Sequence, residues 1–131
     1  MANDNYFNLP DPENWGCQVW GYLKSHSVLI IQLQADSETS CFLEFAAVEY
    51  FEGSIVWQGA NFSLAPPDEC LRIIRRTGRF NGISDDYLLN HLRLFTVNSD
   101  SESPIKILAA NGGVSDGSDG YVKIFKFRVE G

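Results

Sequence analysis

Residues 66–78, PPDECLRIIRRTG, constrain this chain more than any other stretch. Pro66 and Pro67 stand where a helix begins, because the first turn has no use for their missing N–H. Asp68 and Glu69 place negative charge at that start. Arg75 and Arg76 place positive charge at the far end, and both arrangements favour the helix dipole. Gly78 supplies a residue able to turn left-handed and close the helix. The spacing predicts a helix over about 66–77. At about 100° per residue, Cys70, Leu71, Ile73 and Ile74 fall on one flank, and Arg72, Arg75, Arg76 and Arg79 on the other. A helix so divided needs an apolar layer to lie on, and the rest of the chain must provide it.

That layer reads as β-sheet. Residues 18–24 carry Trp20 and Tyr22, and residues 28–34 are rich in branched aliphatics, joined by a short Ser25-His26-Ser27 turn. Residues 42–51 alternate and predict a third strand. Glu52-Gly53 then turns into a fourth strand over 55–64, which is expected to pair with the third as a hairpin. Gly59 marks a bend inside it. Past the helix, Ser84 is a good N-cap for a second short helix over 84–90. Strands are expected over 92–97, 105–110 and 121–130, with loops at 98–104 and 111–120. The result is an α+β fold of about seven mainly antiparallel strands, an open barrel or a layered arrangement, with one clear amphipathic helix.

At 131 residues the chain has the length of a single domain. Residues 1–14, polar and holding Pro10 and Pro12, read as an extended N-terminal arm. They have neither the basic start nor the apolar stretch of a signal peptide. The longest apolar run, residues 28–31, is far too short to span a membrane. Three cysteines, Cys17, Cys41 and Cys70, with no paired spacing, suggest free thiols in a reducing, cytoplasmic setting.

Charge is unevenly placed. Residues 1–71 hold one base and ten acids, a net −9, and residues 72–131 hold nine bases and seven acids, a net +2. The halves are expected to pair across one sheet and neutralise each other; the alternative is a two-faced surface that steers an acidic partner to one side. Overall negative charge argues against duplex nucleic acid as a partner.

Two groups of residues are candidates for function. Arg72, Arg75, Arg76 and Arg79 make a guanidinium stripe suited to a carboxylate or phosphate, hence to an acidic protein or a small anion. The plainer reading is a wet helix face with an Asp68–Arg72 pair and Asp85 or Asp86 absorbing the rest. Phe80, next to Arg79, is the local aromatic on which a base could stack. Trp20, Tyr22 and Trp57 are candidates to line an apolar pocket for a small molecule, or simply to fill the core.

The 111–120 loop has the composition of a calcium site but only Asp116 and Asp119 as carboxylates and no distal Glu. His26 and His91 stand without matching carboxylate spacing, so no metal and no cofactor is expected. A Cys–His nucleophile pair has no local signature, and the nucleotide-binding and hydrolase motifs are missing. The expectation is a binding or interaction module without enzymatic activity, acting through the arginine face. The alternative is a small-molecule binder or small enzyme with an aromatic pocket, and the charge difference between the halves or an exposed sheet edge would allow self-association.

Overall fold

The computed structural model describes residues 5–36, 38–97 and 104–115. Within them, strands β1 (Gly16–Leu23), β2 (Val28–Gln34), β3 (Ser40–Ala46), β4 (Tyr50–Glu52), β5 (Val56–Gln58) and β6 (Ser63–Leu64) precede helices α1 (Pro67–Arg76) and α2 (Asp85–His91). Strands β7 (Arg93–Val97), β8 (Ile105–Ala109) and β9 (Asn111–Ser115) follow. All pairings are antiparallel. They form a five-stranded sheet, β5-β1-β2-β3-β9, and a four-stranded sheet, β4-β8-β7-β6. The fold is α+β and layered, and the sheets do not close into a barrel.

Three layers result. The inner face of the five-stranded sheet, with Cys17, Leu29, Ile31, Leu33, Leu43, Phe45 and Trp57, packs on Phe95, Val97, Ile105 and Ile107 of the four-stranded sheet. The opposite face of that second sheet, through Leu94 and Leu108, packs on Cys70, Ile73 and Ile74 of α1 and Leu88 of α2. Both helices are built as the residues dictate. Pro67 opens α1, Thr77 caps it, and Gly78 follows with φ +71°. The Ser84 side chain accepts from the Tyr87 N–H at the start of α2.

Several boundaries differ from the sequence reading. The expected third strand is two: Ala47 takes a left-handed φ of +53°, and the chain leaves β3 in one sheet for β4 in the other. The expected fourth strand is also two, broken at Gly59, where φ of +108° is open to glycine. The predicted hairpin between them does not form, since β4 pairs with β8, β5 with β1 and β6 with β7. Alternation runs unbroken through such crossings because a strand moving between two facing sheets keeps one side on the shared core.

Residues 111–115 are strand β9 and not loop. A Cβ on Gly112 would lie 2.9 Å from Cδ1 of Phe45, so glycine here is the space an aromatic ring occupies. The described strands number nine against about seven expected. The strand expected at 121–130 lies outside the described residues, as do Asp116 and Asp119.

Residues 5–14 turn repeatedly, with positive φ at Asn5, Asn8 and Asp11. Phe7 packs among Phe45, Phe62 and Phe95, with ring centroids 5.1 to 5.9 Å apart across this group, and Leu9 is buried. No helix among the described residues is long and apolar enough to cross a membrane.

Candidate functional site

The four arginines meet different fates. Arg75 leans over the link to α2: its guanidinium donates to the carbonyls of Phe80 and Ile83, each at 2.8 Å, and to Asp85 Oδ1 at 2.6 Å. Three acceptors make it a clamp on the interhelical turn. Arg76 stands 3.9 Å from Glu52. Arg79 pairs with Glu49, on the connection from β3 to β4, and its guanidinium lies 5.9 Å from the Phe80 ring centroid. Arg72 is exposed and has no ion-pair partner among the described residues; the expected Asp68–Arg72 pair is not made. An exposed pair gains too little in water to hold two long side chains in place.

Of the four ion pairs among the described residues, Arg76–Glu52, Arg79–Glu49 and Lys106–Glu69 join a base from the second half of the chain to an acid from the first. The uneven charge of the sequence is thus partly settled where the end of α1 and the residues after it meet β4 and the β3–β4 connection, and where β8 meets the first turn of α1.

The three aromatics separate. Trp20 sits at a bulge in β1, on the outer face of its sheet, edge-on to Phe42 at 5.5 Å. Its buried Nε1 has no hydrogen-bond partner. Trp57 points inward, and its Nε1–H donates to the Gly59 carbonyl at 2.8 Å. Its edge also lines an open cleft of about 610 Å3 with Gln18, Gln32, Gln34 and Gln58. Tyr22 lines a different cleft, of about 400 Å3, and there it meets Arg79.

That cleft opens where β1, the β3–β4 connection and the end of α1 converge. Val19, Leu29, Val48, Phe51 and Ile55 form its walls, and Tyr50, Glu49 and Arg79 its polar rim. The Tyr50 hydroxyl donates to Glu52 Oε1 at 2.5 Å; that bond, with some burial, holds the phenol above its ordinary pKa and keeps it a donor. So one residue from each candidate group shares a concave, mostly apolar surface with a single ion pair at its edge.

Sequence reasoning missed a third cleft, of about 370 Å3, which Glu49 also lines. Ala47, Phe80, Ile83, Tyr87, Leu88 and His91 line it. Tyr87 and His91 stack with centroids 4.1 Å apart, and Nδ1 of His91 lies 2.8 Å from the Tyr87 carbonyl. Their i, i+4 spacing on a short helix was the available signal.

The thiols have no electropositive neighbour to activate them. Burial pushes Cys17 up to about 12, with Cys41 adding to the rise, and its Sγ lies 3.4 Å from the Gly59 carbonyl. Burial raises Cys41 and Cys70 as well. Thiols so held are poor nucleophiles at neutral pH. No cluster of three or more metal-ligating side chains occurs among the described residues. Set beside known proteins, the chain matches no family model, no curated protein and no solved structure.

Proposed function

We propose that this protein is a binding module and that its site is the cleft shared by Tyr22 and Arg79. The ligand class is a small organic anion: an apolar, ring-sized body against Val19, Leu29, Phe51 and Ile55, and an acidic group at the rim. The observation that carries this reading is the convergence of Arg79 and Tyr22 on one cleft of about 400 Å3. Sites for small molecules have that size and that apolar character with few polar groups. Arg79 is held by Glu49 in the free protein, so an incoming carboxylate takes the place of the Glu49 carboxylate on the same guanidinium fork.

The arginine stripe as one continuous platform is the weaker reading, because Arg75 is spent on the interhelical turn. Three free cysteines suit a reducing, cytoplasmic setting for such a module.

The test is calorimetric titration with 2-naphthoate and its neutral counterpart 2-naphthamide. The wild type should bind the acid more tightly than the amide. Arg79→Gln should remove that preference, weakening the acid by roughly 10- to 100-fold, the worth of a charge-assisted hydrogen bond, while sparing the amide. Equal binding of acid and amide, or no binding of either, overturns the reading.

A further inference from the structure

Among the described residues, the edge strand β5 presents an unpaired edge. Val19 N–H donates to the Ile55 carbonyl and Gly59 N–H to the Trp15 carbonyl, each at 2.8 Å, with Trp57 opposite Cys17 between them. Residues 55, 57 and 59 therefore turn their backbone groups toward β1. In an antiparallel ladder alternate residues face opposite ways, so Val56 and Gln58 direct their N–H and C=O groups outward. No hydrogen bond to these four groups occurs among the described residues. The side chains there are exposed and apolar: Ile55 is 69% and Val56 59% exposed, the two highest values among the large hydrophobics of the described residues.

Proteins usually blunt such an edge with charge or proline. The edges of the other sheet have these devices. β4 ends in Glu52 beside Arg76, and β6 is two residues long and leads into Pro66 and Pro67. β5 has neither, and no charged residue occurs anywhere from position 53 to 67.

We propose that β5 pairs with β5 of a second copy of this chain, antiparallel about a two-fold axis at Trp57. The occupant is argued from self-complementarity. With Trp57 opposite its own counterpart, Val56 falls opposite Gln58 of the second copy, and Gln58 opposite Val56. Each pair then exchanges two N–H···O bonds between groups that already point outward. The same register sets Ile55 opposite Gly59 of the second copy, a residue with open space where a Cβ would be. Near the two-fold axis a residue meets its own twin, where like charges would repel, so an uncharged segment suits the contact, and in a chain of net charge −7 residues 53–67 are such a segment. The paired sheets become one ten-stranded sheet, the isologous form of strand addition.

Sedimentation equilibrium from micromolar to millimolar concentration tests the proposal. The wild type should shift from the mass of one chain to the mass of two. Val56→Lys sets two ammonium groups beside the axis and should raise the dimer dissociation constant by about tenfold or more. Val56→Pro removes an outward N–H that no intrachain bond uses, and should do the same. Unchanged thermal melts at low concentration will show that both variants fold. If either variant fails to fold, amide hydrogen exchange of the wild type decides: Val56 and Gln58 should slow as concentration rises. A wild type that keeps the mass of one chain throughout overturns the proposal. So does a dimer that folded variants leave intact, or one that forms without slowing those two amides. Val56 lies outside the cleft shared by Tyr22 and Arg79, so the variants leave that surface untouched.

Discussion

The four-stranded sheet is covered on both faces by other layers, whereas the outer face of the five-stranded sheet mixes a small buried cluster of Val28, Ile30 and Phe42 with the glutamines Gln18, Gln32, Gln34 and Gln58. In β8 the consecutive residues Ile107, Leu108 and Ala109 are all buried, because one layer takes the odd positions and the helices take the even one. In β1 Cys17 is buried and Gln18 exposed. The four-stranded sheet depends on both of its neighbours, so damage to either covering layer should be felt throughout it. The five-stranded sheet should tolerate change at the glutamines of its outer face, but not at the buried Ile30 and Phe42 beside them.

The largest expected effect tests that dependence. Ile74→Ala, on the helix side, and Ile31→Ala, on the inter-sheet side, should each cost about 2–5 kcal/mol in urea unfolding, with one shared transition. A cost below about 1 kcal/mol for Ile74→Ala would make the helical layer a separate, weaker unit. Gly112→Val should come next, at about 1–3 kcal/mol, because its new methyls press on Phe45 and Phe7.

Alkaline pH sharpens the contrast at the inner face of the five-stranded sheet. The folded state keeps a proton on Cys17 up to about 12, against an ordinary 9.0. That stabilisation is complete below about pH 9 and is lost as pH rises toward 12, with a slope approaching about 1.4 kcal/mol per unit. Urea midpoints at about pH 8 and about pH 10 should therefore differ, and Cys17→Ala should flatten the difference. Equal midpoints for the wild type would contradict the burial of this thiol.

Two arginines from the same helix end should also separate. Arg75→Ala should cost about 1 kcal/mol, since three acceptors on the interhelical turn lose a charged but exposed donor. Arg79→Gln should cost less, about 0.5 kcal/mol, since Arg79 itself is exposed and glutamine can still donate to the mostly buried Glu49 carboxylate. The smallest effect belongs to Gln18→Ala on the outer face, within about 0.5 kcal/mol of zero.

Legibility in the sequence followed the same division. Helix α1 could be read almost to the residue because proline, dipole charge, apolar spacing and glycine all agree over one local stretch. Strand β2 was read at its true limits for a similar reason. What could not be read was non-local. Ala47 gives no sign in its own residue type that the chain changes sheets there. The NGG start of β9 resembles a loop until the Phe45 ring beneath Gly112 is known. The candidate site was half legible. Arg79 and Tyr22 each stood out, on chemistry alone, but 57 positions apart nothing local could bring them to one cleft. Glu49, which holds Arg79, carried no signal at all.

Heteronuclear NMR of the wild type titrated with 2-naphthoate is the most direct test of the central claim. Shift changes should centre on Tyr22, Leu29, Val48, Phe51, Ile55 and Arg79, drawing residues from both sheets and from the end of α1. Changes confined to Arg72 and its neighbours on α1, or to Ile83, Tyr87 and His91, would place binding elsewhere and contradict it.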